Sequence, residues 1–147
     1  MSERKKVADA LAKLLAESYT LYLKTHNYHW NVTGPMFHTL HTLFEQQYTE
    51  LATAVDGIAE RIRTLGFKAP GSYTEFAKLS EVREETGEPA AEEMLRKLTE
   101  DHRIVASQAH HIVKLAAEQS DEGTVALASA RIEVHEKAAW MLGVHLE

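Results

Sequence analysis

Residues 26–45 read HNYHWNVTGPMFHTLHTLFE. Four of the chain's nine histidines fall here: His26 and His29 before Gly34-Pro35, His38 and His41 after it. The Gly-Pro pair ends one helical pattern and the next begins at once. Two helices joined by so short a break fold back as an antiparallel hairpin. His29 and His41 lie almost equally far from the break, so the hairpin brings them level. Glu45 follows one turn beyond His41 on the same helical face.

Outward from this hairpin the pattern stays helical. Val7, Leu11, Leu14, Leu15, Leu21 and Tyr22 recur at spacings of three and four, with Ser18 in the same stripe, and predict a first helix from Lys5 to Val32. Leu40, Leu43, Phe44, Leu51, Val55, Ile58, Ile62 and Leu65 predict a second from Met36 to Leu65, closed by Gly66 as its C-terminal glycine. After Pro70-Gly71, Ser72 and Glu75 form a capping-box pattern that predicts a short helix over SYTEFAKL. Pro89 suits the first turn of a helix carrying Met94, Leu95, Leu98, Val105, Ala109, Ile112, Val113 and Ala116. The break at residues 120–123 has capping chemistry, and a last helix runs to Gly143. The expected fold is all-α: one domain over residues 1–147, a four-helix bundle with a long crossover and a short extra helix between the second and third helices.

Composition narrows the function. Hydrophobic residues at 44% and charged ones at 26% are ordinary for a globular domain. With no cysteine there is neither a disulfide framework nor a thiolate metal site. The basic N-terminus is interrupted by Asp9, Lys13 and Glu17, so it is not a signal peptide, and no apolar run is long enough to span a membrane. The expected compartment is the cytoplasm, with the nucleoid as an alternative address within it. A net charge of −6 attracts cations and repels nucleic acid.

Several metal patterns are excluded. No glutamate is followed three residues later by a histidine, so the usual pair of Glu-x-x-His motifs of an in-bundle carboxylate centre is missing. His135-Glu136 meets Ala139 where a second histidine would complete His-Glu-x-x-His. What remains is His29 with His41 and Glu45, and Asp56 with Glu60, whose spacing of four puts both carboxylates on one face. One straight helix separates His41 from Asp56 by ~22 Å at ~1.5 Å per residue, far beyond the ~2.5 Å a metal–ligand bond allows. A second copy lying antiparallel across a two-fold axis near residue 50 removes the conflict. Two imidazoles with carboxylates suit ferrous iron and leave positions open for an oxidant, and zinc competes for the same set.

The stretch HWNVTGPMFHTLHTLFEQQYTEL, followed by VDGIAERIRTLG, resembles the signature of the Dps proteins, the mini-ferritins. HEKAAWML near the C-terminus continues the likeness. The resemblance implies a ferritin-like subunit, twelve of which close into a hollow shell. It implies a ferroxidase that oxidises ferrous iron, preferably with hydrogen peroxide rather than dioxygen, and stores ferric mineral. By position, His29 and His41 would come from one subunit and Asp56 and Glu60 from its partner. Glu45 stands where many members carry aspartate, and its extra methylene leaves direct and water-mediated ligation both open. Trp30 takes the place of a tryptophan beside the iron site, either as a sink for oxidising equivalents or, like Trp140, as a packing residue. Asp121, Glu122 and Glu136 are the candidates for an acidic entry pore, with Ala126 where many members have aspartate. DNA-binding members carry a lysine-rich arm; this chain enters its first helix near Lys5, so DNA binding is expected to be weak or absent.

The remaining histidines, His26, His38, His102, His110, His111, His135 and His145, read as ordinary polar residues. Arg4-Lys5-Lys6 reads as a solvated helix start. The competing functions are a nucleoid-packing protein and a structural shell with a non-redox metal.

Overall fold

The computed structural model describes residues 2–147. Five helices follow one another: α1 (Glu3–Asn31), α2 (Phe37–Thr64), α3 (Tyr73–Leu79), α4 (Ala91–Glu118) and α5 (Glu122–Val144). The described residues include no strand. α1 packs along α2 and α4 along α5; the two pairs join mainly through α1 and α4, and α3 lies across α1. The fold is the expected four-helix bundle, with α3 in the crossover.

The apolar stripes meet in one core. Leu11, Leu14, Leu21, Phe44, Leu51, Ile58, Ile62, Leu98, Ile112 and Leu142 are all essentially inaccessible. Each such side chain contributes about 1.5–3 kcal/mol of burial, and together they outweigh helix propensity as the source of helical order.

The ends of the helices show why the boundaries fall where they do. Ser2 accepts the Lys5 N–H at 3.1 Å, which starts α1 ahead of the expected Lys5. Gly34 at φ +103° makes the reversal into α2. Gly66, at φ +98°, closes α2 by donating to the Arg63 carbonyl while Phe67 donates to that of Ile62. At α3, Ser72 caps the Glu75 N–H, and Glu75 answers on the Ser72 hydroxyl and the Gly71 N–H. Pro89 lies outside α4 rather than in its first turn: Ala90 is the N-cap and the helix opens at Ala91.

The crossover is fastened by buried polar groups. The Glu81 N–H donates to Glu17 at 3.0 Å and the Lys24 ammonium to the Arg83 carbonyl at 2.8 Å. Tyr28 and Lys97 both donate to Glu85, at 2.5 and 2.8 Å. Lys24 also pairs with buried Asp101 at 2.8 Å. These bonds hold an irregular segment against α1 and α4 and satisfy groups that burial would otherwise penalise.

Candidate metal centre

The last turn of α1 and the first turns of α2 meet across residues 32–36. His29 is buried and His41 half-buried. Their rings stack with centroids 3.8 Å apart and planes 13° from parallel. The His29 Nδ1 lies 2.7 Å from the His41 carbonyl, and the His41 Nδ1 lies 2.7 Å from the His29 carbonyl. A carbonyl can only accept, so each Nδ1 carries a hydrogen. In the neutral rings both Nε2 lone pairs are therefore free. This backbone grip fixes tautomer and ring direction together, as the outer hydrogen bonds of metal-binding histidines do.

Glu45 completes a cluster. Its Oε1 is 3.8 Å from the His29 Nε2, and one ligand atom each from His29, His41 and Glu45 lie within 4.8 Å of one another. No other group of three or more possible ligands has metal spacing among the described residues. Glu45 is exposed, so it can move onto a bound ion without a buried rearrangement.

Asp56 and Glu60 are both exposed and sit further along α2. Asp56 lines a cleft of about 320 Å³ with Tyr19, Ser72 and Tyr73. The fold keeps α2 one continuous helix, so within a chain Asp56 stays ~22 Å and Glu60 ~28 Å from His41 at ~1.5 Å per residue.

The surroundings of His29 are aromatic. Tyr48 sets its ring edge-on to His29 at 5.2 Å, and Phe37 stacks on His41 at 4.9 Å. Trp30 is 58% exposed, and its ring lies 3.9 Å from that of His26, which in turn lies 4.3 Å from Tyr48. His26 is thus a spacer between two aromatic rings, and burial with the nearby His29 holds its imidazole below the usual range. Tyr48 carries no motif signal; only its position one turn after Glu45 hints at it. His38 is exposed.

The pore candidates do not form a ligand cluster within one chain. Asp121 caps α5 through the Thr124 N–H and hydroxyl and pairs with Arg61 at 2.7 Å. Burial alone raises its carboxyl; the bonds from Thr124 and Arg61 outweigh this and hold it below the usual carboxylate range. Glu122 is exposed in the first turn of α5, and Glu136 lies 3.7 Å from His110.

Residues 8–147 match the family described as the ferritin-like domain. The chain is 37% identical to DNA protection during starvation protein 2 of Bacillus anthracis, over 97% of each chain. It also superposes on the crystal structure of a Dps protein from Bacillus brevis with a TM-score of 0.96 and 34% identity, covering 100% of this chain and 99% of that one. The chain belongs to the Dps branch of the ferritin-like family. General stress protein 20U of Bacillus subtilis is a further relative, 36% identical over 99% of both chains. A Dps protein from Vibrio cholerae O1, described as a member of the ferritin-like diiron-carboxylate proteins, shares 37% identity, with a TM-score of 0.94 over 99% of this chain and 91% of that one.

For this Dps chain the geometry has a plain chemical reading. Two imidazole nitrogens and one exposed carboxylate converge at a helix hairpin, and Asp56 and Glu60 are exposed further along α2. Imidazole nitrogen with carboxylate oxygen is a donor set that suits divalent first-row ions.

Proposed function

We propose that this Dps chain takes ferrous iron as a substrate at sites shared between two subunits. His29, His41 and Glu45 come from one copy, Asp56 and Glu60 from the other. Hydrogen peroxide is the preferred oxidant, with dioxygen the slower alternative. Each ferrous ion gives up one electron; one peroxide accepts two electrons and two protons and leaves as two waters. Ferric product is stored inside a hollow shell of twelve subunits in the cytoplasm. DNA is protected because iron and peroxide are consumed together.

The observation that carries this reading is the reciprocal grip of His29 and His41, which presents two free Nε2 atoms beside Glu45. The outward Asp56–Glu60 half-site supports sharing between copies, since one chain cannot close the ligand set. The acid balance of the chain favours cation entry, with Asp121, Glu122 and Glu136 as the pore candidates. Two of the three basic residues at the N-terminus are already paired: Lys5 with Asp9 at 3.1 Å and Lys6 with Glu3 at 3.0 Å. That supports weak or absent DNA binding. No helix among the described residues is long and apolar enough to cross a membrane.

The test is to add ferrous iron and peroxide, then measure iron across a size-exclusion run. Iron eluting with a particle of about 200 kDa, twelve chains of 16.5 kDa, supports the reading. A large particle without iron favours a structural shell with a non-redox ion such as zinc. Protein eluting as a monomer rules out the shared site.

A further inference from the structure

A second pair of histidines faces one another inside the bundle. His102 on α4 and His135 on α5 are 2% and 0% exposed, with their Nδ1 atoms 2.8 Å apart. Arg131, one turn before His135, directs Nη2 at the His135 Nε2 at 2.9 Å. The same guanidinium grips the Glu50 carboxylate on α2 with both terminal nitrogens, at 2.5 and 3.0 Å.

The proton positions follow from the donors alone. A guanidinium has only donors, so the His135 Nε2 must accept. The His135 proton is then on Nδ1 and is donated to the His102 Nδ1. His102 therefore carries its own proton on Nε2. Of the four ring nitrogens, two accept and two bear hydrogens. None has a lone pair left for a metal. Burial acts in the same direction, helped by the Arg131 charge: it pushes the His102 imidazole down to about 3 and that of His135 well below its usual value.

The Nη2 of Arg131 thus stands 2.9 Å from an imidazole nitrogen and 3.0 Å from a carboxylate oxygen. A cation held between those two groups is what a divalent metal would also be. Further buried polar atoms on α2, α4 and α5 have no partner. The His102 Nε2–H, both amide atoms of Gln47 and the Arg131 Nε are buried and make no hydrogen bond. Gln47, Glu50 and His102 line a common cavity of about 320 Å³ between α2 and α5.

We propose that Arg131 is a built-in cation occupying a latent metal site in the bundle, and that it thereby confines divalent metal to the α1–α2 hairpin. The geometry stands by itself; only the consequence for iron rests on the function proposed above. Arg131 is a specificity-determining residue that refuses metal at one place so that the ion is taken at another.

Cobalt(II) is the probe, counted per chain by equilibrium dialysis and read by its visible d–d bands. The count is made with His29→Ala and His41→Ala present, which removes the hairpin ligands. Adding Arg131→Met should raise the count by one cobalt per chain, and adding His135→Gln should remove that ion again. Arg131→Lys, which keeps the positive charge, should leave the count unchanged. A folded Arg131→Met chain that gains no cobalt overturns the proposal. So does a gain that survives His135→Gln, or an equal gain with Arg131→Lys. Should Arg131→Met fail to fold, cobalt-soaked crystals of the unsubstituted protein decide. An anomalous peak at His102 or His135 overturns the proposal; none there, with the imidazoles in place, supports it. Failure of the hairpin to bind metal in the unsubstituted chain would sink the proposed function and leave this count untouched.

Discussion

His29 and His41 each donate a ring hydrogen to the other's backbone carbonyl, at 2.7 Å in both directions. Two side chains therefore close the hairpin and hold both Nε2 atoms in one arrangement. Substituting one ring leaves its backbone carbonyl in place, so the surviving histidine keeps its orientation. His41→Ala should slow ferrous oxidation about 100-fold or more by loss of one imidazole, with the shell intact. Stopped-flow absorbance of ferric product, with size exclusion on the same sample, checks this. Unchanged oxidation would remove His41 from the site.

Sharing of the site has a sharper test. Let His41→Ala and Asp56→Ala chains assemble alone and as an equal mixture refolded together. Alone, every site lacks a ligand. In a mixed two-fold pair one site loses both residues and the other keeps both. Random mixing should therefore recover about a quarter of full activity. A site built within one chain would recover none.

Glu17 couples stability to pH. It is fully buried, and burial raises its carboxyl to about 7. Its Oε2 accepts the Glu81 N–H while its Oε1 has no partner to stabilise the charge. The folded chain thus holds this proton more tightly than the unfolded one. Because the folded value lies above the unfolded one, stability falls as pH rises from the ordinary 4.5 through about 7. Glu17→Gln keeps the neutral shape and should flatten that part of the curve, a difference on the order of 3 kcal/mol across the window. Denaturant midpoints of both chains at several pH values measure it; parallel curves would refute it.

Ser120 is the only non-glycine residue at positive φ among the described residues, at 56°. It closes α4 with the same pair of bonds that Gly66 makes after α2: Ser120 donates to the Ala117 carbonyl and Asp121 to that of Ala116. A side chain there costs about 1–2 kcal/mol, partly offset by the greater freedom of an unfolded glycine. Ser120→Gly should stabilise the chain by about 0.5–1 kcal/mol. A lower thermal midpoint would contradict this.

A side chain at Gly123 must displace Arg61. A Cβ built there meets the Arg61 guanidinium at 2.8–2.9 Å, and that guanidinium also holds Asp121 and Thr124. Gly123→Ala should lower stability by about 1–3 kcal/mol by pushing Arg61 off its partners. Thermal melts beside Arg61→Ala test the cause: the two substitutions together should cost little more than one.

How much of this was legible beforehand depends on distance along the chain. Gly66 and the Ser72–Glu75 box are local signals, and both end up where the pattern puts them. Ser2 extends α1 because a cap acts outside the apolar stripe that marks a helix. Pro89 moves outside α4 because its fixed φ suits the approach to a helix as well as its first turn. His29, His41 and Glu45 are legible since one tight turn fixes their register. Asp56 and Glu60 are legible as a spacing only, because a single chain does not bring them to the imidazoles. His102 and His135 read as ordinary polar residues because their meeting depends on how α4 and α5 are rotated against each other, and only the one-turn step from Arg131 to His135 is visible in the sequence.

The unbroken run of α2 from Phe37 to Thr64 has one more effect. It holds the imidazole half-site and the carboxylate half-site apart like the two ends of a ruler. A newly made chain, under the reading proposed here, cannot run the reaction alone, because no bending of that helix lets its own ends meet. Reactivity would switch on only when two copies lie side by side, which is also the first step toward an enclosed space for the product. Containment would come before chemistry, with no separate regulator needed to set the order.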